Sequence, residues 1–257
     1  MSAEIQTKIN KLLSTIPSGI VLQSSWLAEQ GYSLDLQKRY RKSNWFTAIG
    51  TGAMIRTDDQ VSLEGALYAL QKQSSFSVHI GGRTALSYLG KAHYLELSAK
   101  KVTLFGLRKE HLPKWFLTHD WGVAIDYHPT AFLPPDLGLE NFEFKNFTIK
   151  ISGAIRAMME CLYLAPEQQD MMECLQVMEG LNNLRPNQVQ TMLEQCQSIK
   201  VKRLFLYFSE KLGHGWFKHI KTEKIDLGTG KRSVVKNGVY VDKYQITVPK
   251  EIASYGK

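Results

Sequence analysis

Along the N-terminal third of the chain, the spacing of apolar positions switches from helical to strand-like and back. Ile5, Ile9, Leu12 and Leu13 keep a helical spacing within Glu4 to Leu13. Ile16-Pro17-Ser18-Gly19 breaks that pattern, and Ile20-Val21-Leu22 reads as a short strand. Ser24 or Ser25 can cap a brief helix through Trp26, Leu27 and Ala28, with Gly31 ending it. Ser33 is the expected N-cap of the next helix, Ser33-Leu-Asp-Leu-Gln-Lys-Arg-Tyr-Arg-Lys-Ser-Asn-Trp45. Leu36 and Tyr40 fall on one side of it, while Gln37, Lys38, Arg41 and Lys42 are expected to share an exposed stripe. Two short runs flanking Asp58-Asp59 then read as a β-hairpin over 53–63, and Ser62 caps a helix through Leu63, Ala66, Leu67 and Leu70.

Helix, short helix, Gly-containing turn, basic helix and hairpin is the order of a winged helix-turn-helix. Long cationic side chains on one helix face suit the major groove, where they meet phosphates and guanine edges, and Gln can read adenine. The DNA-binding set expected on this basis is Ser33, Gln37, Lys38, Arg41, Lys42 and Asn44 on and around the helix, with Arg56 as a phosphate contact on the wing.

The polar stretch Gln71 to Ser75 is the boundary candidate. Beyond it, strands are expected at Phe76–Ile80, Tyr94–Leu97, Lys101–Phe105, Gly122–Tyr127 and Phe147–Ile151, with helices at Arg83–Leu89 and Glu110–Phe116. The Pro134-Pro135 pair falls in a loop before the last of these strands. From Ser152, read as a cap, the spacing becomes helical: Ile155, Met158, Met159 and Leu162, then Gln169–Glu179, Arg185–Cys196 and Val201–Leu212. Near the end, Asn237-Gly238 predicts a type I′ hairpin. The expected fold class is therefore α+β: an N-terminal winged helix-turn-helix over 1–73, then a larger mixed α/β domain over 76–257. The latter divides into a strand-rich part, 76–151, and a basic helical part, 152–257.

A hydrophobic content of 44% supports a proper core rather than disorder. Apolar runs fall far short of the ~20 residues that span a bilayer, and Met1 to Leu13 lacks the features of a signal peptide, so a cytoplasmic location away from membranes is expected. The net charge of +8 is concentrated: residues 198–250 hold twelve Lys or Arg against four Asp or Glu. Lys200, Lys202, Arg203, Lys211, Lys218, Lys231 and Arg232 form a second basic feature, suited to nucleic acid or an acidic protein surface.

Catalytic patterns do not assemble. Cys161, Cys174 and Cys196 lack CxxC spacing and sit in apolar segments, so they read as buried thiols. The seven histidines form no HExxH pair, and His93 reads as a hydrogen-bonded core histidine. Gly81-Gly82-Arg83 could hold a phosphate between strand and helix, but it lacks P-loop and GxGxxG spacing and reads as a structural turn. Gly-x-Ser-x-Gly is missing as well. No metal, no cofactor and no catalytic group is expected; the residues read as those of a binding protein.

Many short runs occur in an order that resembles the AbiEi-type antitoxins of type IV toxin–antitoxin systems, the abortive-infection family of phage defence. They include Tyr40-Arg-Lys-Ser-Asn-Trp-Phe46, Gly65-Ala-Leu-Tyr-Ala-Leu-Gln71, His79-Ile-Gly-Gly-Arg-Thr-Ala-Leu86 and Leu112-Pro-Lys-Trp-Phe116. Further on come Ser152-x-x-x-Arg156-Ala157, Glu179-Gly-Leu-x-x-Leu-Arg-Pro186, Val201-Lys-Arg-Leu-Phe-Leu-Tyr207 and Asp226-Leu-Gly-x-Gly-Lys-Arg232. The chain departs from the family at Asn44-Trp45-Phe46, where Gly-Trp-Leu is common, and at Met54, where an aromatic often stands in the wing. The resemblance implies a bifunctional protein. Its winged helix would bind inverted repeats in the promoter of its own operon and repress transcription. Its C-terminal domain would counteract a nucleotidyltransferase-like toxin without a stable complex. Two other classes fit the same residues: a nucleic-acid enzyme targeted by a winged helix, and a ligand-responsive repressor. The first would need a carboxylate cluster drawn from Glu96, Glu110, Asp120, Asp126, Asp136, Glu140 and Glu143.

Overall fold

The computed structural model describes residues 7–91 and 101–256. Glu4, Ile5, His93, Glu96 and the strand expected at Tyr94–Leu97 lie outside the described residues. The fold is mixed α+β and packs as two compact units. The first comprises residues 1–78, 110–123 and 141–150, and the second 79–109, 124–140 and 151–257.

In the first unit, α1 (Lys8–Thr15) starts where the Thr7 hydroxyl accepts the Asn10 N–H at 3.4 Å. It buries Ile9 and Leu12 and stops at Ile16, whose extended backbone is what a following proline demands. After β1 (Leu22–Gln23), α2 (Ser24–Glu29) is flanked by Gln23 rather than capped by Ser24 or Ser25. The Ser24 N–H instead donates to the Gly52 carbonyl at 2.9 Å. Gly31 turns the chain at φ +83°, and α3 (Leu34–Lys42) opens on the expected cap, the Ser33 hydroxyl accepting the Leu36 N–H at 3.3 Å.

The hairpin lies one run earlier than the sequence pattern predicts. β2 (Phe46–Gly50) and β3 (Ala53–Arg56) pair antiparallel across Thr51-Gly52, with Gly52 at φ +81°. Leu22 of β1 stands opposite Met54, giving a sheet in the order β1-β3-β2. The Asp58-Asp59 turn leads to no strand: Asp59 accepts the Gly19 N–H at 2.8 Å, and the chain passes directly into α4 (Leu63–Gln73). Ser62 flanks that helix, but its hydroxyl bonds to the Glu64 carboxylate instead of capping. Gly65 is required where α4 crosses the Gly19 loop, since a Cβ there would sit 2.0 Å from the Gly19 carbonyl oxygen.

Polar residues after α4 serve main-chain groups. The Gln71 amide donates to the carbonyls of Val78 and Lys150 at 2.8 and 2.9 Å and accepts the Lys150 N–H at 2.8 Å. Gln73 pairs in the same way with Val21 and Gln23.

The second unit is built on β4 (His79–Ile80), α5 (Gly82–Tyr88) and β5 (Lys101–Leu107); the short α6 (Lys114–Thr118) that follows belongs to the first unit. Then come β6 (Ala124–Thr130), β7 (Leu139–Phe144) and β8 (Phe147–Ser152), with residues 141–150 of the last two counted in the first unit; the strand order is β6-β5-β4-β8-β7. β7 falls in a stretch expected as loop; its turn uses Lys145 at φ +53° in place of a glycine, which hides the hairpin from pattern reading. α7 (Ala154–Leu164) starts after Gly153, so Ser152 ends a strand instead of capping a helix. α8 (Met171–Glu179), α9 (Pro186–Gln195) and α10 (Ile199–Lys211) complete a core in which Met158, Leu162, Leu175, Leu193, Phe205 and Phe208 are all buried.

The flanks of Asn237-Gly238 do not pair with each other. β9 (Arg232–Ser233) runs parallel to β11 (Ile246–Val248), and β10 (Val239–Val241) runs antiparallel to it, so the later strand takes the centre. Ile246 and Val248 are fully buried, which gives β11 the burial that neither β9 nor β10 has. The helix α11 (Lys250–Ser254) follows.

Candidate nucleic-acid interface

α3 is rotated relative to the expected stripe. Gln37 is 1% exposed, and its Nε2 donates to the carbonyls of Tyr32 and Ser24 at 2.7 and 3.0 Å, closing the turn between α2 and α3. Tyr40 stacks edge-on against Phe46 on the same inner side. The face left in solvent carries Leu34, Asp35, Lys38, Arg39 and Lys42, with Arg41 half-buried at its border. Arg39, absent from the expected set, is therefore an exposed cation of this helix, and Gln37 is a packing residue.

Leu34, Asp35, Lys38 and Arg41 form one wall of a groove of ≈ 490 Å³, and Ala48, Gly50, Thr51 and Gly52 of the β2–β3 hairpin form the other. Ser33 is committed to its cap, and Asn44 is exposed at φ +55°, just past the C-terminal end of α3. Arg56 points away: its Nη2 donates to the carbonyls of Leu13 and Ile16 at 2.8 and 2.5 Å, tying β3 to the end of α1. The structure thus brings Lys38, Arg41 and Lys42 together and turns Gln37 and Arg56 to internal work.

The C-terminal cations divide in the same way. Arg203 is 1% exposed, and its guanidinium donates to four main-chain carbonyls, those of Leu227, Gly228, Gly230 and Gln245. Lys200 donates to the carbonyls of Tyr163 and Ala165, and burial holds its ammonium below the usual lysine value. Lys211 donates to the Ala253 carbonyl, and Lys202 is buried. Of the seven, Lys218, Lys231 and Arg232 remain exposed.

Residues of the Gly81-Gly82 turn and of the Ser152–Arg156 run converge on one buried carboxylate. Glu160, fully buried, accepts from Ser152 Oγ at 2.7 Å, the Gly82 N–H at 2.8 Å and Arg156 Nε at 2.9 Å, with His79 Nε2 at 3.2 Å. Burial pushes this carboxyl up, but the His79 bond and the charges of His79 and Arg156 outweigh it and hold the group below its ordinary value. An internal carboxylate thus takes the start of α5, where a phosphate could otherwise sit, and Arg156 Nη1 donates to the carbonyls of Pro134, Pro135 and Leu137. No local pattern announces this site, because its members come from separate segments.

The candidate acids go elsewhere. Asp126 pairs with Lys101 at 2.8 Å, Glu110 accepts from Ser77, and Asp120 accepts the Gly122 N–H. Among the described residues, no group of three His, Cys, Asp or Glu side chains could hold a metal ion. All three cysteines are buried, and burial pushes all three thiols up, that of Cys196 to about 11. No helix of the described residues is long and apolar enough to cross a membrane.

Both parts of the chain match models of transcriptional regulators: residues 5–97 that of the AbiEi antitoxin N-terminal domain, and residues 99–249 that of the AbiEi antitoxin of type IV toxin–antitoxin systems. The chain belongs to the AbiEi antitoxin family. No curated protein matches it. Among solved structures it is similar to the crystal structure of RV2827C protein from Mycobacterium tuberculosis. The identity is 11%, covering 93% of this chain and 88% of that one, with a TM-score of 0.57, a likeness of fold alone.

Proposed function

We propose that this antitoxin represses its own operon by binding duplex DNA through a winged helix-turn-helix formed by residues 1–73. In this reading α2 and α3 are the helix-turn-helix, α3 enters the major groove, and the β2–β3 hairpin is the wing. The observation that carries it is the groove in which Lys38 and Arg41 face the tip of that hairpin. Lys42 and Arg39 extend the same exposed face. Inverted repeats in the promoter are the expected target. The C-terminal domain, 76–257, counteracts a nucleotidyltransferase-like toxin without a stable complex. The protein is then a cytoplasmic binding protein of phage defence and not an enzyme.

The two activities are separable. A reporter driven by the upstream DNA of the operon is repressed by the wild-type chain and released by Lys38→Ala with Arg41→Ala, while the same double variant still rescues cells expressing the toxin. Repression that survives the double variant contradicts the assignment of α3.

A second reading has one observation in its favour. A cleft of ≈ 660 Å³ in the second unit, lined by Glu140, Asn183, Arg185, Asn187 and Gln188 among others, has the size of a small-molecule site. A repressor released by a ligand would use it, and a metabolite that raises the melting temperature and weakens operator binding would favour that reading.

A further inference from the structure

Arg203 anchors the Asp226-Leu-Gly-Thr-Gly-Lys-Arg232 loop from below. The carbonyls of Leu227, Gly228 and Gly230 all turn inward to its guanidinium, with Gly228 and Gly230 at φ +63° and +77°. In a trans peptide, C=O and N–H point in opposite directions. The Gly228 N–H goes to the Asp226 carboxylate at 2.8 Å, and the N–H groups of Thr229 and Lys231 are turned outward on an exposed loop. Outward main-chain donors over a buried cation present a positive potential to an approaching anion.

The side chains around it repeat the sign. Lys231 and Arg232 are exposed at the end of the loop. Burial lowers the affinity of the Arg203 guanidinium for its proton, and the nearby charge of Arg232 acts in the same direction, so two cations are held close together. An anion seated there relieves that repulsion.

An aromatic face lies beside the cations. Tyr240 sits on the edge strand β10, 36% exposed, and the Lys231 ammonium is 5.0 Å from its ring centroid. In register, Tyr240 stands opposite Thr247, which pairs in turn with Ser233. Side chains of paired residues share a sheet face, so Tyr240, Thr247 and Ser233 form one row on the side opposite the buried Ile246 and Val248.

We propose that this face of the C-terminal sheet binds single-stranded nucleic acid. The backbone phosphate is taken by Lys231 and the Thr229 and Lys231 amides, and a base stacks on Tyr240, whereas Arg232, in register with Ile246, lies on the other face. A duplex fits poorly, because its bases are already stacked and cannot reach an isolated ring. An acidic protein would use the cations but has no need of the exposed ring.

The test uses the full chain carrying Lys38→Ala and Arg41→Ala, which removes the two cations of the proposed duplex-binding groove. Fluorescence anisotropy is measured with labelled oligouridine and oligothymidine of about twelve nucleotides, at several salt concentrations. Binding of either strand is expected, and a preference between them tells RNA from DNA. Tyr240→Ala is expected to weaken it on the order of tenfold, and Tyr240→Phe to retain it. Lys231→Ala is expected to flatten the salt slope by about 0.7, the loss of one phosphate contact. Three results overturn the proposal: no binding of either strand, binding indifferent to these variants, or binding of polyglutamate with no binding of the oligonucleotides. Each leaves the operator-binding reading of α3 untouched, since the groove cations Lys38 and Arg41 are absent throughout.

Discussion

The amide of Gln37 decides which side of α3 meets solvent. Polar, and spaced with Lys38 and Arg41, it reads in sequence as part of a DNA-facing stripe; in the fold it satisfies two carbonyls of a tight turn. Gln37→Ala leaves both carbonyls without that donor and is expected to cost about 1–3 kcal/mol, read by chemical denaturation. Operator affinity and base preference, measured where both proteins are folded, are expected to stay unchanged. A relaxed preference at one base with full stability would return Gln37 to the interface. Glu160 makes the complementary case, since a carboxylate inside an apolar helix gives no sequence hint of its partners. Its folded-state pKa lies below the ordinary 4.5, so the folded chain binds fewer protons there than the unfolded chain does. Its stabilisation is therefore complete above that value and is lost as pH falls through the lower folded value. Glu160→Gln leaves the Arg156 charge uncompensated, an expected cost of about 3–5 kcal/mol at neutral pH. The gap from wild type should narrow below about pH 4. A gap that does not change with pH would contradict an ionised Glu160.

Among the elements, helices were the more legible. Their apolar spacing fixes α3, α4, α8, α9 and α10 within a few residues, because each buries one continuous face. Short strands were less so. β2–β3 lies before the expected hairpin because Gly52 supplies the left-handed turn while Asp59 is tied to Gly19. β9 and β10 pair with β11 instead of each other, a choice made by the burial of Ile246 and Val248 far along the chain. The start of α3 is the element most exposed to test. Ser33→Ala removes its only side-chain cap and is expected to cost about 0.5–2 kcal/mol, with fraying of α3 seen as faster amide exchange at Leu36. Unchanged exchange there would mean that packing alone holds the helix end.

For the whole molecule, charge pointed to two basic regions, and the fold thins out both. Arg56, Lys200, Arg203 and Lys211 are spent on main-chain carbonyls. What remains outside is a compact set on α3 and another around Lys231 and Arg232. Sequence registers how many cations a segment has, but which of them stay in solvent depends on carbonyls supplied by distant segments. The central claim is that α3 reads duplex DNA, and salt-dependent binding to the chain's own upstream DNA, against scrambled competitor, tests it most directly. The account predicts specific binding whose logarithm falls steeply with that of salt, and a slope reduced by about 0.9 for each phosphate contact removed at Lys38 or Arg41. Binding that is weak, indifferent to sequence and unaltered by both substitutions would contradict it.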